Sequence, residues 1–331
     1  MKKFINDPAH LVDELLEGYV LANPDLVRLE DDHIVVNRKL DTAHRVTIVT
    51  LGGAGHEPCA CGYVGNGMVD AFVVGEIFVA PNTSPVVKAI RMADRGQGVL
   101  LVVLNHAADM LSGHQAVQEC RALGIDVNMV IVQDDISNAP RNHAEDRRGL
   151  VGCVPLYKIA GAAAAAGKDL SEVTNIAQRF ADQMATLVVG IYGAVHPVTQ
   201  NLLAEFTDDD MEIGMGQHGE EGGGHQKMRS ADETAVLMLG ALLRDLHVQT
   251  GEKLLLVLDG LGATTLMELF IVYRKCISYL NEKNITITAN MIGELLTVQE
   301  AAGFQMMIAR MDDELLQYWN APCCTAYYTK S

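Results

Sequence analysis

The stretch Val46 to Pro58, V-T-I-V-T-L-G-G-A-G-H-E-P, runs from a β-branched apolar segment straight into glycine, and its reading decides the fold. Val46 to Leu51 is too short for a helix, and such a nearly continuous apolar run fits a strand covered on both faces. Similar runs follow at Ala71 to Val74, Val99 to Leu104 and Val127 to Val132, with helical stretches at about Ser84 to Asp94 and Ser112 to Leu123 between the last three. Doubly covered strands alternating with helices imply a largely parallel, doubly wound sheet. Ligands of such sheets collect beyond the carboxyl ends of the strands. Gly52, Gly53, Ala54, Gly55 and His56 follow the first run directly, and Asn105 to Asp109 follow the run ending at Leu104, so both segments belong at that edge.

Towards the amino terminus, Asp7 and Pro8 read as the cap and first residue of a helix in which Leu11, Leu15 and Tyr19 share a face and which ends near Asn23 and Pro24. Towards the carboxyl terminus, Leu156 to Ala166 and Leu170 to Met184 read as helices, and Leu187 to Ile191 as a strand. Further on, helices at about Ala231 to His247 and Thr264 to Leu280 alternate with strands at Leu254 to Leu258, Ile285 to Ala289 and Gln305 to Ala309. The change of character after Met184 places a boundary there. The expectation is an α/β protein with two α/β domains. Residues 1–184 carry the GHEP loop and Asp109 on a largely parallel sheet, and residues 185–331 carry His218 on a mixed one.

A second glycine stretch, Met211 to His225 (M-E-I-G-M-G-Q-H-G-E-E-G-G-G-H), surrounds His218 with Gly214, Gly216, Gly219 and Gly222 to Gly224. Glycine thins the side-chain cover and lets backbone approach a small ligand, which makes His218 the first candidate for chemistry. A flexible turn that happens to contain a histidine is the plain alternative. His225 lies seven residues further on without a carboxylate at reliable ligand spacing beyond Glu220 and Glu221, and reads as solvent-facing rather than as a metal ligand.

Composition narrows the classes. The 331 residues, 49% hydrophobic and 20% charged, read as a compact globule. A net charge of −17 with only 25 dispersed Lys and Arg argues against a nucleic-acid face. No apolar run reaches the roughly 18 residues of a membrane span. The seven cysteines, with a polar amino terminus, favour a cytoplasmic chain with reduced thiols. Cys59, Cys61, Cys323 and Cys324 lack the paired spacing of a structural zinc site, and no metal is expected. The run GGAGHEP lacks both the Lys-Ser/Thr that closes a phosphate cradle and the GxGxxG spacing of dinucleotide folds, so no nucleotide cofactor is expected on this chain.

Ordered runs along almost the whole chain carry a resemblance. They are KKFIN at the start, GHEP, GYVGNGM (Gly62 to Met68), GEIF (Gly75 to Phe78), DRRG (Asp146 to Gly149), MEIGMGQHGE, LGAT (Leu261 to Thr264), DDE (Asp312 to Glu314) and WNAP. Together they resemble the K subunit of dihydroxyacetone kinase, the ketose-binding subunit. The resemblance implies that His218 holds a small ketose as a hemiaminal, which no polyol can form. It also implies that Asp109 and His56 handle the proton of the reacting hydroxyl. Gly52, Gly53, Ala54, Gly55, Leu104, Gly216 and Gly219 would contact substrate. A homodimer is implied, with ATP or ADP and Mg on a separate L-type subunit and a phosphotransferase-relay M subunit as a further partner. Without the resemblance, His56 reads as a loop histidine and Asp109 as a helix cap.

Departures gather at the site itself. Leu104 stands where the family usually has lysine, His106, Ala107 and Ala108 replace tyrosine, threonine and glycine, Ala54 lies where glycine or serine is usual, and Glu221 replaces a proline. Losing lysine removes a cation from a place of phosphoryl transfer. A kinase subunit for dihydroxyacetone or another short ketose, and a non-catalytic ketone-sensing co-activator, both remain open on the sequence.

Overall fold

The computed structural model describes residues 3–220 and 222–331. The chain divides into two compact units, each assembled from separate segments. The first takes the residues up to Val132, then Cys153–Ala181 and Gln317–Ser331; the second takes Gln133–Gly152 and Asp182–Leu316. Sequence reading had placed a single boundary at residue 184. One change of unit lies near it, at Asp182, but Gln133–Gly152 and the carboxyl-terminal Gln317–Ser331 each belong with the unit remote in sequence.

The first unit contains α1 (Leu11–Ala22), β1 (Val27–Glu30), β2 (Ile34–Asn37), β3 (Thr47–Ala54), β4 (Gly65–Asn66), β5 (Ala71–Ile77), α2 (Thr83–Ala93), β6 (Val99–Leu104), α3 (Ala107–Ala122) and β7 (Val127–Val132). It is completed by α4 (Cys153–Ala165) and α5 (Leu170–Asp182), whose last residue falls at the change of unit. Its main sheet has the order β1-β2-β5-β3-β6-β7. The four strands β5, β3, β6 and β7 run parallel, and β1 and β2 are an antiparallel hairpin on the edge.

Alternation along these strands explains why they read as continuous apolar runs. Val49, Leu51, Leu101 and Val103 pack with Val86, Ile90, Ala116 and Val117 of α2 and α3. The opposite face meets α4, where Thr50 contacts Tyr157. All of α4 from Cys153 to Ala164 is buried, and the Nζ of its Lys158 donates to the carbonyl of Tyr318 at 2.7 Å. A buried ammonium needs such an acceptor.

The second unit holds β8 (Met184–Tyr192), β9 (Asp210–Ile213), β10 (His225–Lys227), α6 (Ala231–Asp245), β11 (Lys253–Gly260), α7 (Leu266–Glu282), β12 (Thr286–Glu294) and β13 (Ala302–Arg310). Its sheet order is β10-β9-β8-β13-β11-β12, parallel only between β11 and β12, so it is mixed as expected. Capping boxes at Ser230/Glu233 and Thr265/Glu268 start α6 and α7. Met238, Leu242, Val272 and Cys276 close one core against the sheet. Helix α8 (Asp313–Asn320) carries the chain back to the first unit, where β14 (Cys323–Thr325) pairs with β15 (Thr329–Lys330) and β4. Among the described residues, no helix is long and apolar enough to cross a membrane.

Candidate functional site

In the first unit the candidates lie at the carboxyl ends of β3 and β6, which are neighbours in the sheet. A Cβ on Gly53 would stand 2.7 Å from the amide of Val79, and one on Gly55 (φ +96°) would stand 2.6 Å from the Phe78 ring. These glycines are therefore required first by close approach to the turn after β5, and Phe78 N–H donates to the Ala54 carbonyl across that approach. Gly52 is less confined, its Cβ meeting only the Phe72 ring at ordinary contact distance. His56 follows, largely buried, with its ring tilted against Phe78 at 5.1 Å between centroids. Next to it, burial pushes the Glu57 carboxyl up, against the pull of the Gly55 amide that donates to it at 3.0 Å.

Leu104 closes β6, and the Asn105 amide donates to Val132 of β7. Helix α3 begins directly after, with Asp109 in its first turn and half-buried. Acidic residues are favoured in the first turn of a helix, so position alone accounts for the aspartate without a ligand. Gly52 to His56, Leu104 and Asp109 thus share one sheet edge of one unit.

The second unit positions His218 in the loop joining β9 and β10, and here the geometry is more specific. Gly216 N–H donates to the Glu220 carbonyl at 2.7 Å and Gly219 N–H to the Gly216 carbonyl at 3.1 Å, closing a tight ring of backbone around the histidine. Glu220 turns back on it. One carboxylate oxygen accepts the His218 amide at 2.8 Å, and the other lies 3.2 Å from Nδ1. Burial works against the charge of Glu220, but the bonds from His218 outweigh it and hold the carboxyl down at about 2. An ionised carboxylate only accepts, so Nδ1 carries the proton, and in the neutral ring the lone pair falls on Nε2.

Arg148 fixes this loop from the side. Its Nε donates to Asp135 at 2.8 Å, and its Nη2 donates to Ser137 Oγ at 3.1 Å and to the Gly214 carbonyl at 3.0 Å. Ser137 Oγ donates its one proton to Asp135 Oδ1 at 2.6 Å and lies 3.0 Å from the Gly214 carbonyl. A Cβ on Gly216 would meet Arg148 Nη1 and Glu220 Oε2, each at 2.2 Å. Sequence reasoning named neither Arg148 nor Glu220 as a working residue, although both lie inside quoted runs, DRRG and HGE. His225, at the start of β10, is exposed, with Asp210 and Glu212 carboxylates each 3.9 Å from its ring nitrogens.

Comparison with known proteins places this geometry in context. The Dak1 domain matches residues 17–327. A PTS-dependent dihydroxyacetone kinase 2, dihydroxyacetone-binding subunit DhaK, of Listeria innocua is 33% identical, covering 99% of each chain. An L-erythrulose kinase of Pectobacterium atrosepticum is 34% identical over the whole of this chain but only 56% of its own length. Among solved structures, a dihydroxyacetone kinase operon co-activator, DhaQ, superposes with a TM-score of 0.90 at 30% identity, over 96% of this chain and 98% of its own.

Proposed function

This chain belongs to the Dak1 domain family, among the relatives of dihydroxyacetone-binding kinase subunits, and on that premise we propose that it is the ketose-binding subunit of a cytoplasmic kinase for a short ketose. The observation that carries this reading is the orientation of His218. With its Nδ1–H donated to Glu220, Nε2 presents a lone pair that adds to a ketone carbonyl carbon. The C=O π bond opens as the N–C bond forms, Nδ1 gives up its proton to Glu220, and a proton returns through solvent to the carbonyl oxygen. The product is a neutral hemiaminal. A polyol has no carbonyl and is excluded, which shape alone does poorly.

Phosphoryl transfer then needs a proton acceptor and a charged donor. Asp109 and His56 are assigned to the substrate hydroxyl, with Gly52, Gly53, Ala54, Gly55, Leu104, Gly216 and Gly219 as contacts. Nucleotide and Mg are assigned to an L-type partner, a reading that the binding-subunit name of the full-length Listeria relative supports. Its PTS-dependent name supports a relay M subunit as the phosphate source. A second reading, a ketone-sensing co-activator, draws on the likeness to DhaQ and on Leu104, which removes the family cation.

The test is a mass and kinetic one. Borohydride trapping with dihydroxyacetone, alongside ketone-soaked crystals, is expected to show an adduct on His218 that His218→Ala lacks. Mixing with an L-type subunit and ATP is expected to phosphorylate dihydroxyacetone or a four-carbon ketose, with loss in Asp109→Asn. Adduct formation without phosphorylated product from any such ketose would establish the sensor reading instead, and absence of the adduct in the crystals defeats both.

A further inference from the structure

Two buried thiols lie together inside the first unit. Cys59 Sγ, in the turn that follows His56, is 3.7 Å from Cys153 Sγ, the first residue of α4. They are 94 residues apart in sequence. We propose that this pair is a reversible disulfide site whose closure repositions His56.

The two thiols lie within hydrogen-bond reach of each other, and either sulfur can be the donor, so the pair already faces along the line on which a sulfur–sulfur bond would form.

Access and charge separate the two steps. Cys59 is 4% exposed and Cys153 fully buried, so an oxidant entering from solvent meets Cys59 first. Hydrogen peroxide converts Cys59 S–H to S–OH and releases one water. Cys153, the first residue of α4, where a helix start favours negative charge, attacks the sulfenic sulfur. Its proton leaves with the hydroxide as a second water, so two thiols and one peroxide give one disulfide and two waters.

Bond formation requires the sulfurs to close from 3.7 Å to about 2.05 Å. Cys153 is anchored in a buried helix, whereas Cys59 is on a turn whose amide donates to the His56 carbonyl at 2.9 Å. Movement therefore falls on the His56 turn. The inference does not depend on the kinase reading, and its readouts need no activity.

The experiment treats the full chain with hydrogen peroxide, then denatures it and labels it with N-ethylmaleimide. Seven cysteines are free in the reduced protein, and the oxidised one is expected to lose the labels on Cys59 and Cys153 and to yield a Cys59–Cys153 cross-linked peptide that dithiothreitol removes. Cys59→Ser and Cys153→Ser should each abolish that peptide, with Cys153→Ala as a second variant should serine disturb the buried helix. The imidazole NMR signals of His56, assigned with His56→Gln, are expected to shift on oxidation and return on reduction. Both thiols still labelled after oxidation of the exposed Cys324, or Cys59 linked instead to the neighbouring Cys61, would overturn the site. A disulfide that leaves the His56 signals unmoved would overturn the coupling.

Discussion

The carbonyl addition proposed for His218 needs one tautomer of its imidazole, and the carboxylate of Glu220 favours that tautomer. Glu220→Gln keeps the shape but lets the amide either donate or accept, so Nδ1–H loses its charged partner and the tautomer its preference. Because Glu220 is half exposed, the loss is expected at the low end of charged hydrogen bonds, about tenfold in ketone affinity. Titration calorimetry with dihydroxyacetone measures it, and Glu220→Asp should recover part of the binding while an unchanged affinity in Glu220→Gln would remove the carboxylate from the mechanism. The pH dependence has a definite sign. A carboxyl lowered from its ordinary 4.5 to about 2 contributes fully above 4.5 and is lost only as pH falls towards 2. Between pH 5 and 8 Glu220 should therefore add nothing to the pH profile of ketone binding, a point checked by comparing wild type with Glu220→Gln across that range.

At the scale of elements, the loop between β9 and β10 contrasts two glycines that look alike in sequence. A methyl on Gly216 meets mainly the tips of two flexible side chains, Arg148 and Glu220, which can swing away at the cost of their bonds, and stands 2.9 Å from the Glu220 Cβ, which must give slightly. One on Gly219 meets the Leu203 carbonyl at 2.5 Å, in a backbone already at φ +84°. Gly219→Ala is thus expected to lower stability by roughly 1–3 kcal/mol, read in urea melts. Gly216→Ala should melt closer to wild type yet bind ketone poorly; equal melts for the two would refute the distinction. The same elements show why reading the sequence found some of them and missed others. Strands β3, β5 and β6 are buried on both faces over most of their length and so read as apolar runs, and the edge strand β7 is partly buried yet apolar apart from Asn128. Strands β9 (D-M-E-I) and β10 (H-Q-K) are short and polar, and merge into the glycine stretch. The hairpin β1–β2 turns through Asp32 and His33 at positive φ rather than through glycine, so no turn signal marks it. Arg148 escaped notice because its role is set by the Gly214 carbonyl, 66 residues away. Periodicity and spacing cannot register a contact of that kind.

Over the whole molecule, a net charge of −17 opposes association of two copies, so a homodimer requires apolar surface to overcome it. Helix α7 offers such surface in the second unit. Leu266, Met267, Phe270 and Ile271 are exposed by 53%, 68%, 55% and 44% and are gathered on its first two turns. Clustered exposure of this kind marks an interaction face more often than scattered single residues do. The expectation is a dimer through α7, sedimenting at about twice the chain mass of 35.8 kDa at micromolar concentration. Phe270→Glu should halve that mass, because it removes an aromatic anchor and brings two further negative charges together across a two-fold axis. Adding salt should strengthen the wild-type dimer by screening its repulsion. A wild-type monomer would refute the dimer itself. A Phe270→Glu dimer as tight as wild type would leave the dimer standing and place its interface elsewhere.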